Sequence, residues 1–577
     1  MHANAPADSS QTPLPLADDS FVHLIFPFSF HEAPEGTQRA SDAFTQITQS
    51  IRDTTVREIG AVANDSEQAC WTGYDGDDPD YFLSHVRDFL FRGRLQAASG
   101  DGEPRSEYTV SAEFDNDARQ SVFPTRMGDT RYLGRRERGG LHYDFPLQIT
   151  NTRLYLFRSQ VGLMVHTLEL GLELKVSETP FLDEIDDIEE ERYWRKEALQ
   201  HRSGNGAKVP EDETRALTLD DLSLLNYQIS RHPSEDGAPV GPRLYFKERV
   251  RRDQDLFTGD ANAPEWVPQY VDTLCPFDLG RFSRKLLTAS LGHPVGTRST
   301  EATSKTEISW RPFHERRFLT YVFGLIDSGR INEACSYDRI RRPLYQLRRS
   351  FSEDYRPTPE QLRDTDNPEV LRTFANIAFG FSTEGGAVLA WPDDENQTFI
   401  TEHLPPRIRQ NYFFLCVLAL HQHYACTHLA RRIGNLDYEK GRSSSSETTQ
   451  TARDLREHIF AFLVQSWFHD VSDRRIYNQV YKRWQGVLDI RRHFDEVKSQ
   501  VGEVDDYLQR VKNDREQRFA DLISWVVVPI ILFLNAVSVN FVEMQGISVT
   551  NRQVWIGTVI ATALYFVIAL GLRRYIR

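Results

Sequence analysis

The run Arg131-Tyr-Leu-Gly134-Arg135-Arg136-Glu-Arg138-Gly139-Gly140 sets four guanidinium groups among three glycines. Glycine allows a backbone to come close to a ligand, and arginine presents a fork of donors that suits phosphate. Binding of a small nucleotide through Arg131, Arg135, Arg136 and Arg138 is the chemistry implied, and ion pairing between subunits would use the same residues. The run has no Walker lysine and no dinucleotide-binding spacing. A second set is acidic. Asp75-Gly-Asp77-Asp78-Pro-Asp80 offers the hard oxygens that calcium and magnesium take, without a complete EF-hand series, so a solvated turn is the alternative. Asp183, Glu184, Asp186, Asp187, Glu189, Glu190 and Glu191 stack carboxylates at helical spacing, where like charges repel unless cations or arginines intervene. Asp183, Asp186, Asp187 and Glu190 are therefore candidates for a regulatory divalent site, against an exposed acidic face. His421, His423, Cys426 and His428 form a third set, in which His421 and His428 share a helix face but lack the two further ligands zinc requires. No nucleophile elbow, phosphate loop, Cys-His dyad or HExxH motif occurs, so no catalytic residue is expected and an enzyme is the weaker reading.

The elements that must position these residues read as α/β. Phe21 to Phe30 is expected as a buried strand, followed by amphipathic helices over 37–61 and 81–92. Strand-like runs follow at 108–114, 143–150, 153–158 and 162–170. The last two read as a hairpin split by Ser159-Gln160-Val161. A charged helix is expected over 181–201, closed by the linker Ser203 to Gly206. The pattern is mixed from Leu217 to Glu402, and Asn411 to Ile433 is a strongly apolar helix. The serine run Ser443 to Ser446 marks a flexible linker.

Composition narrows the function classes. Five cysteines without CxxC spacing argue against a disulfide framework or a thiolate zinc site. The net charge of -15 argues against general nucleic-acid binding. The first residues, up to Asp19, are polar and Pro-rich with no signal-sequence pattern, as expected of a disordered tail.

The C-terminal part is expected to start as a stalk. Ala452 to Phe519 contains no proline, so one very long helix is predicted. Ile490, Phe494, Val497, Val501, Val504, Leu508 and Val511 alternate steps of four and three, a seam for self-association or for packing inside its own domain. Two apolar segments follow, Leu522 to Val542 and Val554 to Leu572, each near the roughly 20 residues that a transmembrane helix requires. Arg573, Arg574 and Arg577, with Lys512, Arg515 and Arg518, place both termini on the cytoplasmic side by the positive-inside rule.

Pro529-Ile-Ile-Leu-Phe-Leu-Asn535-Ala-Val-Ser538-Val539-Asn540-Phe541 resembles the end of the pore helix in the CorA family of magnesium channels. The Pro529-to-Asn540 spacing, the Asn540-Phe541 pair, Met544 in the following loop, and Asp506-Tyr507-Leu508 and Asn513-Asp514-Arg515 upstream carry the likeness. Ser538 and Val539 stand where the family's signature has Gly and Met, and Gln545 where a Pro is typical. The resemblance implies an α/β N-terminal cytoplasmic domain, a long helical stalk and two C-terminal transmembrane helices, assembled as an oligomer, a homopentamer by the family's plan. It implies a pore lined by Asn540, Ser538, Val539, Asn535, Ile531, Val528 and Ser524, with Asn540 ordering the water around a hydrated ion or capping its helix. Closure by bound metal, carried over from the family, would involve Asp505 and Asp506.

The expected plan is a tail at 1–19, a cytoplasmic α/β body at 20–402, an apolar helix and linker at 403–450 and a stalk at 451–520. Transmembrane helices follow at 521–542 and 553–573 around an external loop at 543–552, with a basic cytoplasmic tail at 574–577. The expected function is a divalent-cation channel or transporter, magnesium foremost, in the inner or plasma membrane and gated by its cytoplasmic body. Its partners would be the lipid bilayer, further copies of the chain and divalent cations. The alternative, which the resemblance admits through CorA-like proteins of prokaryotic antiviral defence, is a membrane effector gated by a signalling nucleotide. A membrane-anchored scaffold is the third.

Overall fold

Alternation along Phe21–Glu32 (β1) sets the layers. Val22, Leu24, Phe26, Phe28 and Phe30 enter the main hydrophobic core, while Phe21 and His23 face the opposite side, where the His23 ring lies 4.3 Å from that of Phe413. The computed structural model describes residues 13–32, 40–55, 69–73, 81–91, 109–115, 130–135, 142–177, 213–230, 244–251, 270–292, 308–315, 317–331, 335–351, 355–363, 367–434, 456, 459–460, 462, 466–522 and 524.

After β1 the chain forms β2 (Trp71–Gly73), β3 (Thr109–Phe114), β4 (Thr130–Arg135), β5 (His142–Phe157), β6 (Val161–Leu170), β7 (Glu173–Ser177) and β8 (Glu213–Ala216). Further on come β9 (Leu244–Arg251), β10 (Tyr270–Phe277), β11 (Ile308–Pro312), β12 (Leu319–Leu325), β13 (Val370–Phe374), β14 (Ile377–Phe381) and β15 (Gly385–Ala390). All join one sheet with the central order β10-β9-β4-β5-β6-β1-β12-β15-β14-β13. β12 and β15 are parallel, and the other pairings among the described residues are antiparallel. The two strands expected at 143–150 and 153–158 are one strand, because an irregularity between Ile149 and Asn151 carries the β5–β6 pairing through without a break.

Helices cover both faces. α1 (Ala40–Asp53), α3 (Leu219–Ile229), α4 (Leu279–Leu291) and α5 (Tyr337–Arg349) contribute Ile47, Leu222, Leu286 and Ile340 to the core with Phe26 and Phe28. α2 (Ser84–Phe91), α6 (Phe413–Gly434) and α7 (Arg475–Val487) lie on the other face. There Phe91 meets Phe414, and Trp484 meets Phe381 of β14. A Cβ at Gly386 would lie 2.7 Å from the Trp484 indole, so glycine in β15 is what lets α7 approach the sheet. α6 is buried along most of its length, as expected of a helix that is apolar nearly all round. Widened π-type turns at Phe399–His403 and Ile408–Tyr412 flank Leu404–Arg407, where Pro405 and Pro406 supply no backbone donors.

Several expectations are corrected here. Leu14 and Leu16 are buried, and Pro15 and Leu16 bridge to Thr218 and Ile326, so residues 14–16 are packed against the body. The stalk is not a single helix. Residues 467–474 are not helical, α7 stops at Val487, and Asp489 takes a left-handed φ of 49° before α8 (Ile490–Leu522) begins. Asp tolerates that conformation through its short polar side chain, so a change of direction costs little there. The first turn of the expected seam serves the body: Ile490 is buried, and Phe494 lies 4.2 Å from Trp467.

The expected fold class, with two C-terminal transmembrane helices, and the multi-pass inner-membrane placement are also corrected. Among the described residues no helix is long and apolar enough to cross a membrane. α8 is long enough, but charged residues recur along it from Arg491 to Asp521. The segments expected to span, 521–542 and 553–573, lie outside the described residues except for Asp521, Leu522 and the exposed Ser524. The chain divides into two compact units. One comprises residues 1–435 and 455–495, and the other 436–454 and 496–577.

Candidate functional site

Three consecutive polar residues in the middle of α6, His421, Gln422 and His423, fasten three different elements. His421 Nε2 lies 2.8 Å from Ser159 Oγ in the β5–β6 turn, and its ring stacks 4.0 Å from that of Phe157. Gln422 donates to the Ser466 carbonyl at 2.7 Å and accepts from Tyr481 at 2.9 Å and Gln485 at 3.1 Å, tying α7 to α6. His423 donates from Nδ1 to the Leu488 carbonyl at 3.1 Å, and its ring is 5.2 Å from His493. Leu488 sits in the two-residue break between α7 and α8, so His423 holds one of the carbonyls that helix termination leaves unpaired. Burial holds His421 at a pKa of about 3 and His423 at about 4, the latter also lowered by His493. Both rings are neutral at neutral pH and act as hydrogen-bonding groups.

The next residue along the helix, Tyr424, is buried behind the wall of an open cleft, against Phe313 and His314. Its hydroxyl is 2.7 Å from His314 Nε2, and its ring is 4.5 Å from that of Phe313. The cleft, about 400 Å³, is lined by Arg311, Pro312, Phe313, His314, Glu315, Arg317 and Arg431. β11 ends at Pro312 and delivers these residues to the edge of the α6 face, while the last turn of α6 supplies Arg431. The Arg431 guanidinium lies over the Phe313 ring at 5.2 Å. Arg311, Arg317 and Arg431 are exposed, and no carboxylate pairs with them among the described residues. Burial lowers the His314 pKa to about 4, with further lowering by Arg317, His423 and Arg431. The cleft therefore owes its positive charge to arginine alone.

The arginine–glycine run expected to cradle phosphate does not form such a loop over its first half. Residues 130–135 are strand β4, with Arg131 opposite Pro146 of β5 and Tyr245 of β9, and Arg135 opposite His142. Pairing on both edges of the strand engages the backbone groups around Arg131 that a phosphate would need. Arg136 and Arg138 lie outside the described residues, as do Asp75, Asp77, Asp78, Asp80, Asp183, Asp186, Asp187 and Glu190. Asp506 is exposed on α8, and Asp505 precedes it on the same helix. Of the expected pore residues, Ser524 is described, and Val528, Ile531, Asn535, Ser538, Val539 and Asn540 lie outside the described residues.

Among the described residues no group of three or more His, Cys, Asp or Glu side chains could hold a metal ion. His421 and His428 both serve the β5–β6 turn: His428 Nε2 is 3.3 Å from Gln160 Oε1, which also accepts from Arg432 at 2.9 Å. Sequence reading missed the cleft because Arg311 and Arg317 are far from Arg431 along the chain. The apolar helix carrying His423 was recognisable, but its meeting with Leu488 was not. No protein-family model matches the chain, and no curated protein matches it significantly.

Proposed function

We propose that the body is a ligand-controlled switch that reads an anion at the arginine cleft and passes that state to the α7–α8 joint. The observation carrying this reading is the adjacency of Tyr424 and His423. Tyr424 holds the cleft wall through His314, and His423, the residue before it, holds Leu488 just ahead of the long helix. A helix moves as a unit over one turn, so displacement of Phe313 and His314 by an occupant is felt at His423. The His423 bond, worth about 1 kcal/mol net, is weak enough for a bound ligand to offset. Amide exchange in the full-length protein tests the coupling. Arg431→Glu places a carboxylate among the arginines as a built-in anion, and exchange over residues 488–495 should change several-fold, with Arg431→Gln as the neutral control. Identical exchange in both variants and the parent would remove the coupling.

A further inference from the structure

We infer that the cleft takes a compact polyanion of the diphosphate or triphosphate class and recognises its charge without reading an attached base. This deepens the proposed switch and rests on it for biological meaning, though not for the binding itself. Three observations lead there. Arg311, Arg317 and Arg431 are exposed on one cleft with no carboxylate partner among the described residues, in a protein whose net charge is -15. Acidic groups are abundant, so unpaired guanidiniums clustered at one spot focus a local positive potential against the overall field. Multiple forked donors suit several phosphate oxygens at once better than a single monoanion.

The second observation is the state of the aromatic groups. The Phe313 ring already has Tyr424 at 4.5 Å and Arg431 at 5.2 Å, and the Tyr424 hydroxyl is engaged by His314. These rings brace the arginine, and among the described residues no further phenyl, phenol or indole ring lines the cleft to stack a base, which is why recognition is assigned to charge. The third is Glu315, the lining carboxylate. Arg284 donates to the Glu315 carbonyl at 2.8 Å, and burial lowers its pKa, an effect that the charge of Glu315 offsets only in part. Glu315 is exposed, and its remaining field opposes an anion at the cleft mouth. A ligand with several charges outweighs that opposition, whereas inorganic phosphate gains less from the arginines.

Calorimetry on the full-length chain, with phosphate, pyrophosphate, tripolyphosphate, ATP, GTP and citrate as probes, tests the inference. Tripolyphosphate, ATP and GTP should bind within a few-fold of one another, and phosphate about tenfold or more weaker than pyrophosphate. Affinity should fall as salt rises. Arg317→Gln combined with Arg431→Gln should lower tripolyphosphate affinity by tenfold or more, about 1.4 kcal/mol or above. Glu315→Gln should raise it. All three positions are exposed, and an unchanged melting temperature confirms that folding is intact. Equal affinity in the double variant, tighter binding of citrate than of tripolyphosphate, or a strong preference for one base overturns the inference. No binding of any probe overturns it as well, but a response of the joint to Arg431→Glu would leave the switch standing. Tight binding with an unresponsive joint would retain the ligand and remove the switch.

Discussion

Two arginine clusters on the body are held in opposite ways. At the C-terminal end of α5, Arg348 is buried with 1% of its side chain exposed, and its guanidinium pairs with Glu369 at 2.8 Å. Arg348 also donates to the Glu369 carbonyl at 2.8 Å, and the neighbouring Arg349 pairs with the same carboxylate. At the cleft, Arg311, Arg317 and Arg431 are exposed and lack such a partner among the described residues. The two arginines sharing Glu369 also differ. Burial lowers the pKa of Arg348 despite the carboxylate, whereas for the partly exposed Arg349 burial is outweighed by the bond to Glu369 together with the charges of Glu369, Tyr345 and Glu384, and the pKa is raised. Both stay charged, since arginine titrates far above neutral pH. The contrast separates purpose. An arginine that supports the fold brings its counter-ion inside with it, because an unpaired buried charge is costly. An exposed arginine needs none, because water solvates its donors, and they stay accessible to a ligand.

The largest expected effect strikes the paired cluster. Glu369→Gln leaves Arg348 buried without a counter-charge and should destabilise the body by about 3 kcal/mol in urea denaturation. A loss below 0.5 kcal/mol would mean that Arg348 reaches water or another acceptor, and the contrast between clusters would fail. Acid titration follows. Burial holds His314 and His423 at about 4, and His166 and His421 at about 3, all below the ordinary value of 6.5. The unfolded chain therefore binds more protons below pH 6.5, so these groups support the fold above that pH and lose their contribution as the pH falls toward 4 and 3. Each should contribute a slope of up to about 1.4 kcal/mol per pH unit. His423→Gln should flatten the slope between pH 6 and 4, and an unchanged slope would place the acid-sensitive group elsewhere.

A smaller effect is expected at the joint. His423→Ala removes the donor to Leu488 and should cost about 1 kcal/mol, seen as faster amide exchange over residues 488–495 with global stability little changed. The smallest belongs to the cleft. Arg317→Gln should alter stability by no more than about 0.5 kcal/mol, because it removes no partnered group. Destabilisation as large as that of Glu369→Gln would show that Arg317 supports the fold and has no free role.

Local pattern made several elements legible. β1 and β6 lie within a residue or two of the expected strands, and the apolar run 411–433 is the buried helix α6. The expected hairpin is present, turning at residues 158–160. The misreadings share a cause. That Arg131 to Arg135 form a paired strand was not legible, because composition says nothing of which edges a segment will pair, and β9, more than a hundred residues away, joins β4. The break at Asp489 was hidden because no proline marks it, and the single Gly486 just before it is compatible with a continuous helix. The sheet and body helices fix where α7 must end, through Trp484 on Gly386 and Ile490 in the interior.

What the sequence determined by itself is local. Period-two alternation placed Phe26, Phe28 and Phe30 of β1 on one face, and continuous apolarity committed α6 to the interior. It also set the charge balance against which a cationic cleft stands out. What only tertiary structure decided is juxtaposition: Arg431 beside Phe313, His423 beneath Leu488, and Arg348 against Glu369. These contacts join segments far apart in the chain. Their partners are chosen by packing of the whole sheet and its helices, a global free-energy balance that no short window of sequence contains.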